Sequence, residues 1–243
     1  MSQAAIAPPP TLPALRRLAA LGTFDEAAGA ALHEAARRAR RISVRHELLS
    51  EGKPVMEPQI LLSGWAARIR ILPDGRRQIM GLLLPGDLIG HCYQPQPLAT
   101  STIMALTDLE ICSAPSAQDF PSLECVYATS HALDEAFLLA QITRLGRMNA
   151  SERLADLFLE LFERLSMAGL TRGNAFEHPL TQELVADVTG LTPVHVNRVV
   201  KTMRQDDEAL WAAGYLVLSD PQALASRIGW APFRVSLSMH PRR

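Results

Sequence analysis

Apolar residues change their spacing twice along this chain. From Leu12 to Leu21, and again from Glu26 to Ala39, they recur every three or four residues, the period of a helix with one buried face. Thr23 or Asp25 is placed to start the second of these helices. From Ile42 to Ser113 the pattern becomes strand-like. Short apolar segments are cut by Glu51-Gly52-Lys53-Pro54, Ser63-Gly64, Pro73-Asp74-Gly75 and Pro85-Gly86-Asp87. Arg68-Ile69-Arg70-Ile71 alternates, as does part of Arg77-Gln78-Ile79-Met80, and Asp74-Gly75 between them predicts a hairpin. Many short strands at this spacing predict an antiparallel β-roll or barrel. Beyond a connecting stretch at 116–130, helical spacing returns from His131 to about Met148, and again from Ala150 through Leu165. Phe176 to Leu180 reads as a short strand, Gly214 to Asp220 as strand and turn, and Pro221 to Arg227 as a final helix. The fold class this predicts is α+β.

Between the last two strands lies the most specific pattern. In Leu180–Arg204, one apolar face is formed by Leu184, Val185 and Val188, and a second by Val196, Val199, Val200 and Met203. Gly190 separates them, where a left-handed residue ends a helix without a Cβ clash. Thr192 is placed to cap the next helix, with Pro193 at its first position. Ala186 before the glycine lets the two helices approach, and Val196 after it plugs the gap. Two helices joined this way form a helix-turn-helix, and the strand after it would be a wing. Pro193, Val194, His195, Asn197 and Arg198 are left on the outer face, at the end that enters a DNA major groove. Arg198 suits a guanine edge and Val194 a thymine methyl. Thr181, Gln182, Thr192, Lys201 and Arg204 are the candidates for contacts to the DNA backbone.

The long helix before this region carries two apolar stripes, Leu138, Ile142 and Leu145 on one and Leu133, Phe137 and Ala140 on the other. Both must be buried, and a two-fold partner would cover one of them. The expected dimer interface is therefore Leu133, Phe137, Leu138, Ile142 and Leu145. The organisation expected is an arm at 1–11, a β-roll sensor domain at 12–128, a dimerisation helix at 129–150, a winged helix-turn-helix at 151–230 and a tail at 231–243.

Charge and composition modify this picture only locally. The 243 residues carry 24 Lys and Arg against 25 Asp and Glu, so the net charge of −1 gives no general attraction to nucleic acid. Any positive surface must come from Arg198, Lys201 and Arg204, with Asp206, Asp207 and Glu208 close behind. The basic run Arg37-Arg38-Ala39-Arg40-Arg41 is of a type that meets nucleic acid or an anionic membrane surface, but the reading favoured is a solvated helix end, where positive charge suits the macrodipole. Cys92, Cys112 and Cys125 are far apart, which leaves no metal or iron–sulfur spacing. No residues form a catalytic set, so no enzyme activity is expected. Without a signal sequence or an apolar run of ~18 residues, a cytoplasmic location is expected.

A β-roll, a long helix and a winged helix-turn-helix, in that order, resemble the Crp/Fnr family of bacterial transcription regulators over residues 12 to 230. Three stretches carry the resemblance. Gly64-Trp65-Ala66 with Leu72-Pro73-Asp74-Gly75-Arg76-Arg77-Gln78 looks like the sensor hairpin. Leu84-Pro85-Gly86-Asp87-Leu88-Ile89-Gly90 looks like the strand and turn that open the effector pocket. Leu180-Thr181-Gln182-Glu183 through Leu191-Thr192-Pro193-Val194-His195-Val196-Asn197-Arg198 looks like the DNA-binding motif. The resemblance implies a homodimer that binds a two-fold symmetric site on double-stranded DNA, with RNA polymerase as a candidate partner and no membrane association.

The sequence also departs from the family pattern. Members that bind cyclic nucleotides have a Gly-Glu pair and then an Arg-Ser/Thr-Ala run whose Arg holds the cyclic phosphate. Here His91 stands at the Glu position, Ala99-Thr100-Ser101 falls on the run, and no arginine occurs between Arg77 and Arg144. An anion in a partly dry pocket needs a cation or converging N–H groups, so control by cyclic AMP in the usual way is not expected. The iron–sulfur cysteines of the oxygen-sensing branch are absent too, since the first cysteine is Cys92. The candidate effector pocket is Asp87, His91, Cys92, Thr100 and Ser101. No cofactor is expected. Haem ligation by His91-Cys92-Tyr93, or oxidation of Cys92, is an alternative resting on a single His-Cys pair. The rival to a DNA-binding regulator is a small-molecule or redox sensor module of the same fold acting through protein contacts.

Overall fold

The computed structural model describes residues 12–91, 96–212 and 214–235. The arm, Cys92, Tyr93 and the tail from residue 236 onward lie outside the described residues. Two helices open the chain, α1 (Pro13–Leu21) and α2 (Glu26–Arg37), with the Asp25 carboxylate accepting from the Ala28 N–H to cap α2. Eight strands follow: β1 (Arg40–Ile42), β2 (Glu47–Leu49), β3 (Gln59–Ser63), β4 (Ala66–Ile71), β5 (Arg77–Leu83), β6 (Leu88–Ile89), β7 (Thr102–Ala105) and β8 (Leu109–Ser113). They form two four-stranded sheets, β1-β8-β3-β6 and β2-β7-β4-β5. The pairings of β8 with β1 and β3, of β3 with β6 and of β2 with β7 are antiparallel. Their inward residues, among them Leu61, Leu83, Ile89, Ile103 and Ile111, make the core of the roll. Gly64 has φ +86°, and a Cβ there would lie 2.3 Å from the Asp108 carbonyl oxygen, so the turn into β4 admits only glycine.

The long helix α3 spans Ser122–Arg147, starting nine residues before the His131 that periodicity gives. Phe120-Pro121 and the small or β-branched run Ala128-Thr129-Ser130 hide this start in the sequence. Leu123, Val126 and Tyr127 reveal it, since all three are buried at helical spacing. α4 (Ala150–Ala168) begins in a reciprocal capping box between Asn149 and Glu152 and ends at Gly169. β9 (Thr171–Arg172), β10 (Ala175–Glu177), α5 (Gln182–Thr189), α6 (Pro193–Gln205), β11 (Ala209–Ala212), β12 (Tyr215–Leu218) and α7 (Pro221–Ile228) complete the chain. The last four strands form one antiparallel sheet, β11-β12-β10-β9. Hydrophobic spacing does not predict β9 and β11, the first being two residues long and the second lying directly against the acidic end of α6.

By contacts the described residues divide into two compact units. The first holds the residues up to Arg68, Leu82–Ala136 and the stretch from Arg234; the second holds Ile69–Gly81 and Phe137–Phe233. The tip of the β4–β5 hairpin therefore belongs with the helix-turn-helix, and α3 contributes to both units. In the second unit α4 packs against α5, α6 and α7. A buried ionic network joins the end of α3 to α4. Arg144 binds Asp156 at 2.6 Å and Glu160 at 2.5 Å, Glu160 also binds Arg164 at 2.9 Å, and Arg164 lies over the Phe137 ring. Burial opposes the charge on Arg144, but Glu160 and Asp156 outweigh it and hold its pKa up.

Candidate nucleic-acid interface

α5 and α6 are short helices fixed at both ends. The Thr181 hydroxyl accepts from the Leu184 N–H and the Thr192 hydroxyl from the His195 N–H, capping the two starts. Between them Gly190 takes φ +66°, and its N–H returns to the Ala186 carbonyl. A Cβ on Gly190 would lie 3.1 Å from Leu145 Cδ2, a tight approach that adds to the strain of the positive φ. Val185, Ala186 and Val188 of α5, and Val196, Val199 and Met203 of α6, are buried.

The opposite side of α6 faces outward. Pro193, Val194, His195 and Arg198 are exposed, Val194 by 72%, while Asn197 is half-buried. Thr181, Gln182, Thr192, Lys201 and Arg204 are exposed as well. The fold thus brings the predicted base-reading and backbone-contacting residues onto the outside of one helix pair, with Asn197 the least accessible. β11 and β12 pair over four residues directly after α6 and form the wing. Its inner side is held by aromatic contacts, Trp211 meeting His178 at 5.3 Å and Phe158 at 6.0 Å between ring centres. The His178 Nδ1 accepts from the Leu180 N–H at 3.1 Å, and burial lowers the pKa of this imidazole.

The candidate effector pocket lies in the first unit as a cavity of ≈190 Å³. Asp87, His91, Thr100 and Ser101 all line it; Cys92 lies outside the described residues. Asp87 is nevertheless engaged with the fold itself. One carboxylate oxygen binds Arg17 of α1 at 2.7 Å and the other accepts from the Leu84 N–H at 2.7 Å. Burial, and secondarily the neighbouring His131, lowers the pKa of His91 and favours its neutral form. Arg68, Ser130, His131 and Asp134, which no motif in the sequence marks, also line the cavity. Arg68 reaches it from β4, with Nη1 and Nη2 at 3.2 and 2.7 Å from the two Asp134 carboxylate oxygens. The guanidinium in this pocket is thus already engaged by a carboxylate and comes from the wrong strand for the family's phosphate cassette. These residues do not fit the usual way of holding a cyclic phosphate. Cys112 is buried, and its thiol is pushed up to about 11, which removes it from thiolate chemistry.

The residues expected at a dimer interface separate into different environments. Leu133 and Phe137 are buried in their own chain at 1% and 8% exposure, Phe137 against Phe233 and Arg164. Burial within their own chain thus removes them from the expected dimer interface. Leu138 and Leu145 are half-buried, and Ile142 is 68% exposed. The open apolar positions are Ile142 and Leu139, the latter 58% exposed and overlooked. Periodicity identified an α3 that is apolar on several sides but could not tell which side its own chain would cover.

Comparison with known proteins agrees with this architecture. Residues 39–122 match the cyclic nucleotide-binding domain and residues 152–227 the Crp-like helix-turn-helix domain. The transcriptional activator protein FnrL of Cereibacter sphaeroides is 30% identical over 182 residues, covering 70% of this chain and 71% of that one. The nitrogen fixation regulation protein FixK of Bradyrhizobium diazoefficiens is 30% identical over 179 residues, covering 68% and 73%. The structure of FixK2 from Bradyrhizobium japonicum shares the fold, with a TM-score of 0.66 at 23% identity over 77% of this chain and 96% of that one. The chain belongs to the Crp/Fnr family of DNA-binding transcription regulators.

Proposed function

We propose that this regulator binds a two-fold symmetric DNA site as a homodimer and that cyclic AMP does not control it in the family's usual way. The observation that carries the DNA reading is the outer face of α6. Val194, His195 and Arg198 stand exposed beside Lys201 and Arg204, on a helix whose other side is anchored by Val196, Val199 and Met203. Arg198 has the donor geometry for a guanine O6/N7 edge, His195 reaches a base or a phosphate, and Val194 meets a thymine methyl. Lys201 and Arg204 contact phosphates, which position the helix without specifying sequence. One short reading helix covers a few base pairs, so two copies on successive turns of DNA are needed for a selective site. The exposed Leu139 and Ile142 on α3 support a second copy of the chain as the partner.

The reading of the sensor unit rests on the pocket. His91 stands in place of the ribose-binding carboxylate, and the engaged Arg68–Asp134 pair is the wrong arrangement for a cyclic phosphate. RNA polymerase remains the proposed protein partner of the DNA-bound dimer, as the family resemblance implies.

Arg198→Ala tests the role of α6. Losing a base contact costs about 1–3 kcal/mol on the preferred duplex and relaxes preference at one base pair per half-site. Binding to all single-base variants of the site, measured for both proteins, should lose discrimination at that position only. An unchanged preference profile would remove Arg198 from base reading.

A further inference from the structure

A helix ends with carbonyl groups that have no partner within the helix. At the end of α5, the first helix of the helix-turn-helix, three such groups are met by three different elements. The Asp187 carbonyl accepts from Gln78 Nε2 at 2.7 Å, on β5 of the hairpin. The Val188 carbonyl accepts from Gln141 Nε2 at 2.6 Å, on α3. The Thr189 carbonyl accepts from Arg153 Nη1 at 2.9 Å, on α4. Arg153 also binds the Leu145 and Met148 carbonyls, both at 2.9 Å, and so ties the end of α3 to the end of α5. Beside them, Arg77 Nε and Nη2 donate to the Asp187 carboxylate at 2.9 and 2.5 Å, with both side chains largely shielded. A cation there also suits the negative end of the α5 dipole.

From this geometry we infer that Arg77 and Gln78 are positioning residues for DNA recognition. They touch no DNA. They hold the last turn of α5, and that turn sets where Gly190 turns the chain and where α6 begins. Arg153 comes from α4, which packs against both helices of the helix-turn-helix in any case, whereas Arg77 and Gln78 bring in a hairpin that is remote in sequence. The arrangement favours DNA binding, because Val194, His195 and Arg198 stay exposed while the contacts are made. Arg77 belongs to the positioning set through its pairing with Asp187, a half-buried acid on the last turn of α5.

The test uses the full chain, its preferred duplex and an unrelated duplex. R77A/Q78A should weaken the preferred duplex by about tenfold, the value of a lost charged hydrogen bond, and leave the unrelated duplex unchanged. R77D and D187R should each lose preference similarly, and R77D/D187R should recover most of it, because the pair is restored with its sign reversed. Retained binding of the unrelated duplex shows that a variant is folded and keeps its phosphate contacts. Wild-type preference in R77A/Q78A, tighter binding in that variant, or a charge reversal no better than its single variants would each overturn the inference. It rests on α6 as the reading helix. A wild-type chain that prefers no duplex defeats that reading, whereas preference unaffected by these substitutions defeats the positioning role alone.

Discussion

Arg17 carries a charge into the interior at 1% exposure, where a carboxylate counter-charge makes it tolerable. It donates to the Gly86 carbonyl at 2.6 Å and to Asp87 at 2.7 Å, fastening α1 to the Gly-Asp turn. Arg17→Ala leaves Asp87 buried without its counter-charge and should cost roughly 3–5 kcal/mol, read from the midpoint of denaturant unfolding. An effect below about 1 kcal/mol would show that the carboxylate finds water or another donor. The same pair shows what sequence conceals at this scale. Asp87 was assigned to an effector because its turn resembles a ligand pocket, yet its partner is 70 residues away on a helix with no motif. Arg68 was overlooked for a related reason. It sits in an alternating strand, where charge reads as a solvated face, and only the fold turns it inward toward Asp134.

At the scale of elements, α5, Gly190 and α6 were legible because each local requirement leaves a residue type: Thr for a cap, Gly for a positive φ, Pro at a helix start, Val where helices meet. The hydrogen bonds to the α5 carbonyls left no such mark, since Gln78, Gln141 and Arg153 are ordinary surface types in sequence. His178 belongs to this scale, at the joint between β10 and α5. Its neutral Nδ1 accepts the Leu180 N–H, and a protonated ring could only present a second donor there. Its folded pKa lies below the ordinary 6.5, so the unfolded chain binds the proton more readily. The stability it contributes is complete above 6.5 and is lost as pH falls below that value toward the folded pKa. Thermal unfolding followed from neutral to mildly acidic pH should show this loss, and His178→Gln should flatten it. His91 is shifted in the same direction, so the variant reduces the slope without abolishing it. An identical slope in wild type and variant would exclude His178 as a source.

For the whole molecule, the order of roll, long helix and winged helix-turn-helix follows from two changes of hydrophobic period, and the structure retains that order. The boundaries were less accessible. A hairpin that sequence gives to the sensor has its tip in the second unit, and α3 is divided between the two. Contacts made far along the chain decide such boundaries, and periodicity reports only local burial. On the proposed function, two copies of this chain read a symmetric DNA site through α6 without a cyclic nucleotide. Selection of duplexes from a random pool, with purified full-length protein and no added nucleotide, is the decisive measurement. The expected result is enrichment of an inverted repeat whose half-site centres lie one helical turn apart, ~34 Å. Enrichment of a single unrepeated half-site, or of a motif that emerges only when cyclic AMP is supplied, would contradict it.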